Sequence, residues 1–174
     1  MLALFFSSKS FPYSDLAKIY RTSILQEGAL RYPEEPEEIR VALAESDFLS
    51  YVRLDFFPRK GSLYALWQEG NRYVSAARIE PYRDGVLLSG LETAPEYRGR
   101  GYASSLLAAL LDALEPRGVP KVYSHVDKGN RPSLAVHRKN GFRIFKDTAV
   151  YLDGSADGRA YTLLKNLEEN ENNA

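Results

Sequence analysis

The stretch Thr93-Ala94-Pro95-Glu96-Tyr97-Arg98-Gly99-Arg100-Gly101-Tyr102-Ala103 constrains this chain most. It joins a β-type run at residues 86–93 to a helical repeat of Ala103, Leu106, Leu107, Leu110, Leu111 and Leu114. Gly99 and Gly101 permit a tight loop with exposed amides and no Cβ in the way. The helix that follows leaves its first N–H groups unpaired, at Tyr102, Ala103 and Ser104, and presents partial positive charge there. Such a turn is a receptor for phosphate. Arg98 and Arg100 add full charges. Two other phosphate motifs do not fit. A P-loop ends in Gly-Lys-Ser/Thr, and Gly101-Tyr102-Ala103 lacks the lysine and the hydroxyl. The dinucleotide fingerprint wants a third glycine where Ser104 stands. A strand–helix turn with no ligand is the alternative.

The rest of the chain supplies elements around this turn. Residues 1–6 read as a first strand. Leu16, Ile19, Tyr20, Ser23 and Ile24 fall on one helical face. Pro33 and Pro36 divide that helix from a second, whose stripe is Ile39, Ala42, Leu43, Ser46 and Leu49. Residues 56–61 read as a loop. Residues 62–69, 72–80 and 86–93 read as antiparallel strands, turned at Gly70-Asn71 and Arg83-Asp84-Gly85. Beyond the Leu-rich helix come a strand at 121–126, a helix at 130–140 closed by Gly141, and strands at 142–151 and 159–166. The order is strand, two helices, three strands, helix, strand, helix, two strands. That is one mixed α/β domain over 1–167, with the Asn/Glu-rich 168–174 as a frayed tail.

Composition narrows the chemistry. With 174 residues, the chain can bury about 70% of its unfolded surface without staples. It has no cysteine, which excludes disulfides, thiolate metal sites and an acyl-cysteine intermediate. Two histidines make a multi-histidine metal site implausible, so no metal is expected. Lys+Arg and Asp+Glu are both 23, which argues against nucleic acid as a partner. The balance is uneven, however. Residues 95–146 hold ten basic against four acidic side chains, while 27–47 is locally acidic. The basic segment suits an anion and the acidic one a cation, or each is a solvated face. The apolar start is too short for a signal peptide, and no run is long enough to span a membrane, so a cytoplasmic protein without a membrane partner is expected.

A second motif follows the first: Asn130-Arg131-Pro132-Ser133-Leu134-Ala135-Val136-His137-Arg138-Lys139-Asn140-Gly141-Phe142. On a helix, Ser133 and His137 are i, i+4 neighbours. Together the two motifs resemble the GNAT superfamily of acyl-CoA-dependent N-acyltransferases. The pattern Arg/Gln-x-x-Gly-x-Gly/Ala is met by Arg98, Gly101 and Ala103. The later Asn-x-x-Ser/Ala-x-x-x-Tyr-x-x-x-Gly-Phe pattern is met by Asn130, Ser133, Gly141 and Phe142. The match spans about residues 86–142; residues 1–60 match only in their order of elements.

The resemblance implies a mostly antiparallel sheet with a splayed central strand pair, flanked by helices. It implies that the amides of Gly99, Arg100, Gly101, Tyr102, Ala103 and Ser104 hold the pyrophosphate of acetyl-CoA. Backbone at Leu91, Glu92 and Thr93 would pair with the pantetheine arm, and Asn130 and Ser133 would touch the cofactor. The thioester would enter between the strand at 86–93 and that at 121–126. The family often has a tyrosine acid toward the leaving thiolate where this chain has His137; imidazole also donates a proton and titrates near neutrality.

Direct attack requires a neutral amine. For a lysine-like amine, deprotonation at pH 7 costs about 4.6 kcal/mol, against about 1.4 kcal/mol for an α-amine. Glu92, at the end of the strand that would line the thioester, is the first candidate base, with an exposed carboxylate or ion pair as the alternative. His125 on the adjacent strand is a second candidate, or else a core histidine. The rings of Tyr97, Tyr102, Tyr123 and Tyr161 are read as packing. The expected function is acetyl transfer from acetyl-CoA to a small-molecule or peptide amine in a ternary complex. A non-catalytic acyl-CoA sensor is the other reading. The acidic 27–47 stretch suggests a cationic acceptor, and the final strand pair offers an edge for a homodimer.

Overall fold

The computed structural model describes residues 1–167; the tail read at 168–174 lies outside them. A seven-stranded sheet runs in the order β1-β2-β3-β4-β5-β9-β6. Its strands are β1 (Leu2–Phe5), β2 (Leu63–Glu69), β3 (Arg72–Tyr82), β4 (Gly85–Thr93), β5 (Lys121–Asp127), β6 (Arg143–Lys146) and β9 (Ala160–Asn166). All neighbours are antiparallel except β4 and β5. A two-residue ladder, β7 (Ala149–Val150) with β8 (Ala156–Asp157), closes the last loop.

Helices cover both faces. Helices α1 (Tyr13–Ile19), α2 (Arg21–Arg31) and α3 (Glu37–Tyr51) lie on one face, and α4 (Tyr102–Leu114) and α5 (Arg131–Lys139) on the other. The strand alternation sorts side chains between them. Tyr64, Leu66 and Ala76 join Leu16, Ile19, Ile24 and Phe56 under α1–α3. Ala65, Ala77, Ile79 and Leu88 meet Leu106, Leu107, Leu110 and Leu114 of α4.

Four local readings change. The first helix is two, broken at Tyr20, yet the stripe of Leu16, Ile19, Tyr20 and Ile24 stays buried across the break. In α3 the expected stripe is rotated. Val41 and Ala44 are buried, whereas Ile39 and Leu43 are 48% and 39% exposed. The competing stripe runs on to Phe48 and Tyr51, whose rings bury more area and set the rotation. The loop expected at 56–61 begins as a π-helical turn, Val52–Phe56, that extends α3. The run at 142–151 is split between β6, whose four residues are all exposed at the sheet edge, and β7.

Two irregularities in β4 prepare the site. Register pairs Ala76 with Glu92 and Arg78 with Ser89, so Gly90 and Leu91 together oppose Ala77 in a bulge. Gly90 sits there at φ +57°, a conformation glycine adopts without a Cβ penalty. On its other side β4 pairs with β5 only at Val86–Val122, Leu87–Tyr123 and Leu88–Ser124. Both strands then continue without pairing, to Thr93 and Asp127, and the sheet parts between them.

Candidate functional site

The parting of β4 and β5 opens a cleft of about 830 Å³. Its walls come from both sides of the sheet: Thr22 and Ser23 of α2, Ser89 to Thr93 of β4, the turn and first residues of α4, Ser124 to Asp127 of β5, and the head of α5.

One end is the glycine turn. Gly99 and Gly101 stand at φ +76° and +83°, and a Cβ on either would meet nothing within 4 Å. The first α4 amide to find a backbone acceptor is that of Ser105, which bonds the Gly101 carbonyl at 3.0 Å. The N–H groups of Gly99, Gly101, Tyr102, Ala103 and Ser104 have no acceptor among the described residues, and α4 has no side-chain cap. A row of open donors at a helix N-terminus has the chemistry to hold an anion.

The two arginines differ. Arg98 lines the cleft and is tied down, donating from Nε to the Thr93 carbonyl at 3.1 Å and from Nη2 to Thr22 Oγ1 at 2.8 Å. Arg100 does not line the cleft. It folds back on its own turn, bonding the Glu96 carbonyl at 3.1 Å and stacking over the Tyr97 ring at 5.3 Å. The rings read as packing groups also divide: Tyr97 and Tyr102 line the cleft, whereas Tyr123 packs with Tyr82, Leu87 and Leu164.

Helix α5 forms the opposite wall. Asn130 caps it, its Oδ1 accepting from the Ser133 amide at 3.1 Å, so its carboxamide NH2 is left for the cleft. Asn140 at the other end donates to Ser104 Oγ at 3.2 Å and locks α5 to the start of α4. His137 is 1% exposed and packs edge-on against Phe142. Its Nδ1 donates to the Ser133 carbonyl at 2.8 Å, which fixes the neutral tautomer with a bare Nε2. Burial depresses its basicity, against the opposing pull of that hydrogen bond. The ring therefore borders the cleft with its one proton already committed and its bare Nε2 buried.

Glu92 stands on the α2 side of the gap. Burial raises its carboxyl above the usual range, countered by the Ser23 hydrogen bond and by the charges of Arg98 and Arg78. Ser75 Oγ donates to the Glu92 carbonyl at 2.7 Å, and Thr93 Oγ1 bonds Ser75 Oγ at 3.0 Å, which pins this strand end to β3. His125, across the gap on β5, is held edge-on between Tyr82 and Tyr151 at 5.6 and 5.0 Å. Burial, then Arg83, lowers its pKa.

The turn, β4 end, Asn130, Ser133, His137, His125 and Glu92 thus share one cleft, and Arg100 stands apart. Sequence reading missed Thr22 and Ser23 as part of the wall. Ser23 was visible only as a small polar residue within an apolar stripe. The acidic side chains at Glu34, Glu35, Glu37 and Glu38 are all exposed and none lines the cleft.

A family model described as the acetyltransferase (GNAT) family matches residues 22–142. A mycothiol acetyltransferase of Clavibacter michiganensis is 45% identical over 73 residues, which are 42% of this chain and 22% of that protein. The mycothiol acetyltransferase of Thermobifida fusca is 25% identical over 136 residues, 73% of this chain. The match takes in less than half of either relative, 42% in the second case. Among solved structures, the PaiA N-acetyltransferase from Thermoplasma acidophilum, in complex with coenzyme A, superposes with a TM-score of 0.64 at 15% identity. The alignment covers 95% of this chain and 99% of that one. That likeness is one of fold.

Proposed function

The chain belongs to the GNAT acetyltransferase family, and from that premise we propose that it moves an acetyl group from acetyl-CoA to an amine by direct attack in a ternary complex. The observation that carries this is the row of unbonded amides at Gly99, Gly101, Tyr102, Ala103 and Ser104, set at one end of a cleft that also holds Glu92. The open space where Cβ atoms would sit at Gly99 and Gly101 suits a pyrophosphate against the main chain. Acetyl-CoA, when bound, supplies the activated thioester.

The protein's own groups then divide the work. The turn amides hold the diphosphate, and Arg98 adds its charge from a fixed position. Leu91 to Thr93 and the free NH2 of Asn130 border the arm, with Ser133 beside it. Glu92 takes the proton of the amine as its nitrogen bonds the acetyl carbon, the C–S bond breaks, and coenzyme A leaves as a thiolate that takes its proton from solvent; the raised Glu92 carboxyl makes it a stronger acceptor than an exposed glutamate. His125, neutral on the other lip, is the alternative acceptor. The substrate class is a small-molecule or peptide amine.

The test is twofold. Acetyl-CoA at 100 times its Kd should stabilise the protein by about 2.7 kcal/mol, and an amine library should release free thiol. An unmoved Tm at millimolar acetyl-CoA overturns the proposal.

A second reading, an acyl-CoA sensor without turnover, draws on His137. The family pattern has a proton-bearing tyrosine there, whereas this imidazole spends its N–H on Ser133. Stabilisation by acetyl-CoA with no thiol release from any amine would favour it.

A further inference from the structure

Arg78 is a guanidinium in search of an anion. It lies on β3 between Tyr64 and Ser89, on the sheet face that α1–α3 cover. Its side chain makes no hydrogen bond and no ion pair among the described residues; its one ring contact is with Tyr51, whose centroid lies 5.8 Å away. Nε is sealed from solvent with nothing to donate to, while the terminal nitrogens keep access to it. The acid on its own strand, Glu80, is taken by Arg59 at 3.2 Å. Glu92 is hydrogen-bonded to Ser23, and Arg78 acts on its carboxyl through charge alone, with no ion pair between them. A half-buried charge is normally paired, because desolvation without a counter-charge is unfavourable.

The place of this guanidinium is informative. A Cβ built on Gly90 would come within 2.9 Å of Arg78 Nε, 3.1 Å of Arg78 Nη2 and 3.0 Å of the Tyr20 hydroxyl. Arginine and phenol therefore meet at the β4 bulge, and Gly90 itself lines the cleft. Tyr20 further fixes the spot by donating to the Gly90 carbonyl. This is the α2 side of the gap, where Glu92 stands and away from the glycine turn that answers to a diphosphate.

We propose that Arg78 anchors an anionic group of the acceptor, and that the acceptor is an amine that also carries a carboxylate. This rests on the acetyl-transfer reading above. A planar carboxylate matches the fork of a guanidinium. It brings one negative charge rather than the nearly two of a phosphate, which suits a pocket already occupied by the Glu92 carboxylate. The amine of such an acceptor would then lie toward Glu92 in the cleft, and its carboxylate would reach Arg78 at the bulge beside the cleft.

A ruler of simple amino acids tests this. Thiol release from acetyl-CoA is measured with glycine, β-alanine, γ-aminobutyrate and δ-aminovalerate, and with the primary carboxamide of each. At one or more lengths the carboxylate should exceed its carboxamide in kcat/KM by about tenfold or more. Arg78→Gln should erase that preference through KM when both proteins are compared on their alkaline plateaus, where the shift that the lost charge causes in Glu92 no longer matters. Carboxamides served as well as carboxylates at every length would overturn the proposal. So would an Arg78→Gln protein that loses both series alike, since the arginine would then act on Glu92 or on the fold. The wild-type comparison stands even if the variant does not fold. Failure of the acetyl-transfer reading has a separate signature, a Tm that acetyl-CoA does not move.

Discussion

The Ser23 hydroxyl on α2 is hydrogen-bonded to the Glu92 carboxylate on β4, 69 residues further along the chain. Two influences on this carboxyl oppose each other: burial raises its pKa, and the hydroxyl lowers it. The proposed base is therefore tuned by a residue on another element.

Ser23→Ala should raise the Glu92 carboxyl further. A base works only when ionised, so the acid limb of the pH–rate profile should move to higher pH, while the plateau rate at alkaline pH stays close to wild type. A kcat/KM profile across pH 5 to 9 reads this. An unmoved limb would mean that Glu92 is not the group being titrated.

Glu92→Gln should lower kcat by about 100-fold or more, in the range for loss of a general base. Stability should move the opposite way. A carboxyl whose folded pKa is raised stabilises the fold at low pH, below its unfolded value, and that contribution is lost as pH rises through the folded value. At neutral pH the ionised, half-sunk carboxylate is a burden, and the amide keeps an oxygen for Ser23. The Tm of Glu92→Gln at pH 7 should exceed that of wild type.

Gly101→Ala tests the turn. At φ +83° an added Cβ costs about 1 kcal/mol in backbone strain. It clashes with no protein atom, so the variant should fold with a modestly lower Tm. It should nonetheless bind coenzyme A at least about tenfold more weakly, because the Cβ enters the space the diphosphate would occupy. Calorimetric titration with coenzyme A separates the two effects.

His137→Phe addresses acid stability. The folded pKa of His137 is depressed by burial. The unfolded chain therefore takes up a proton first as pH falls below about 6.5, and the fold loses stability from there downward. Urea unfolding at pH 8, 6.5 and 5 should show that loss in wild type and less of it in His137→Phe. His125, also depressed, adds to the loss, and the raised Glu92 carboxyl opposes it in both proteins. An equal slope in both proteins would contradict a buried neutral His137.

Much of this was legible in the chain itself, and for local reasons. The glycine turn and the Leu face of α4 are short-range devices, and residue type at fixed spacing encodes them. The succession of strands along the chain follows from turn chemistry and alternation, whereas the insertion of β9 between β5 and β6 does not. What stayed hidden depends on contacts between distant residues. The rotation of α3 was decided by Phe48 and Tyr51 against a competing stripe of Ile39 and Leu43 with the same period. Nothing near Gly90 announces a bulge, because the bulge exists only in register with Ala77. Ser23 looked like a filler within an apolar face until α2 was laid beside β4. Arg78 carries no signal in the sequence, because whether a strand arginine finds a bonded partner is decided by the elements packed against it. The redirected Arg100 is a subtler case: its charge was evident, but the Glu96 carbonyl and the Tyr97 ring that claim it were not.

The separation of β4 from β5 beyond Leu88 and Ser124 makes a window through the sheet rather than a dent in one face. A thioester carrier laid along α4 and α5 and an amine arriving past α2 would use different doorways and meet in the middle. Neither would have to leave for the other to enter.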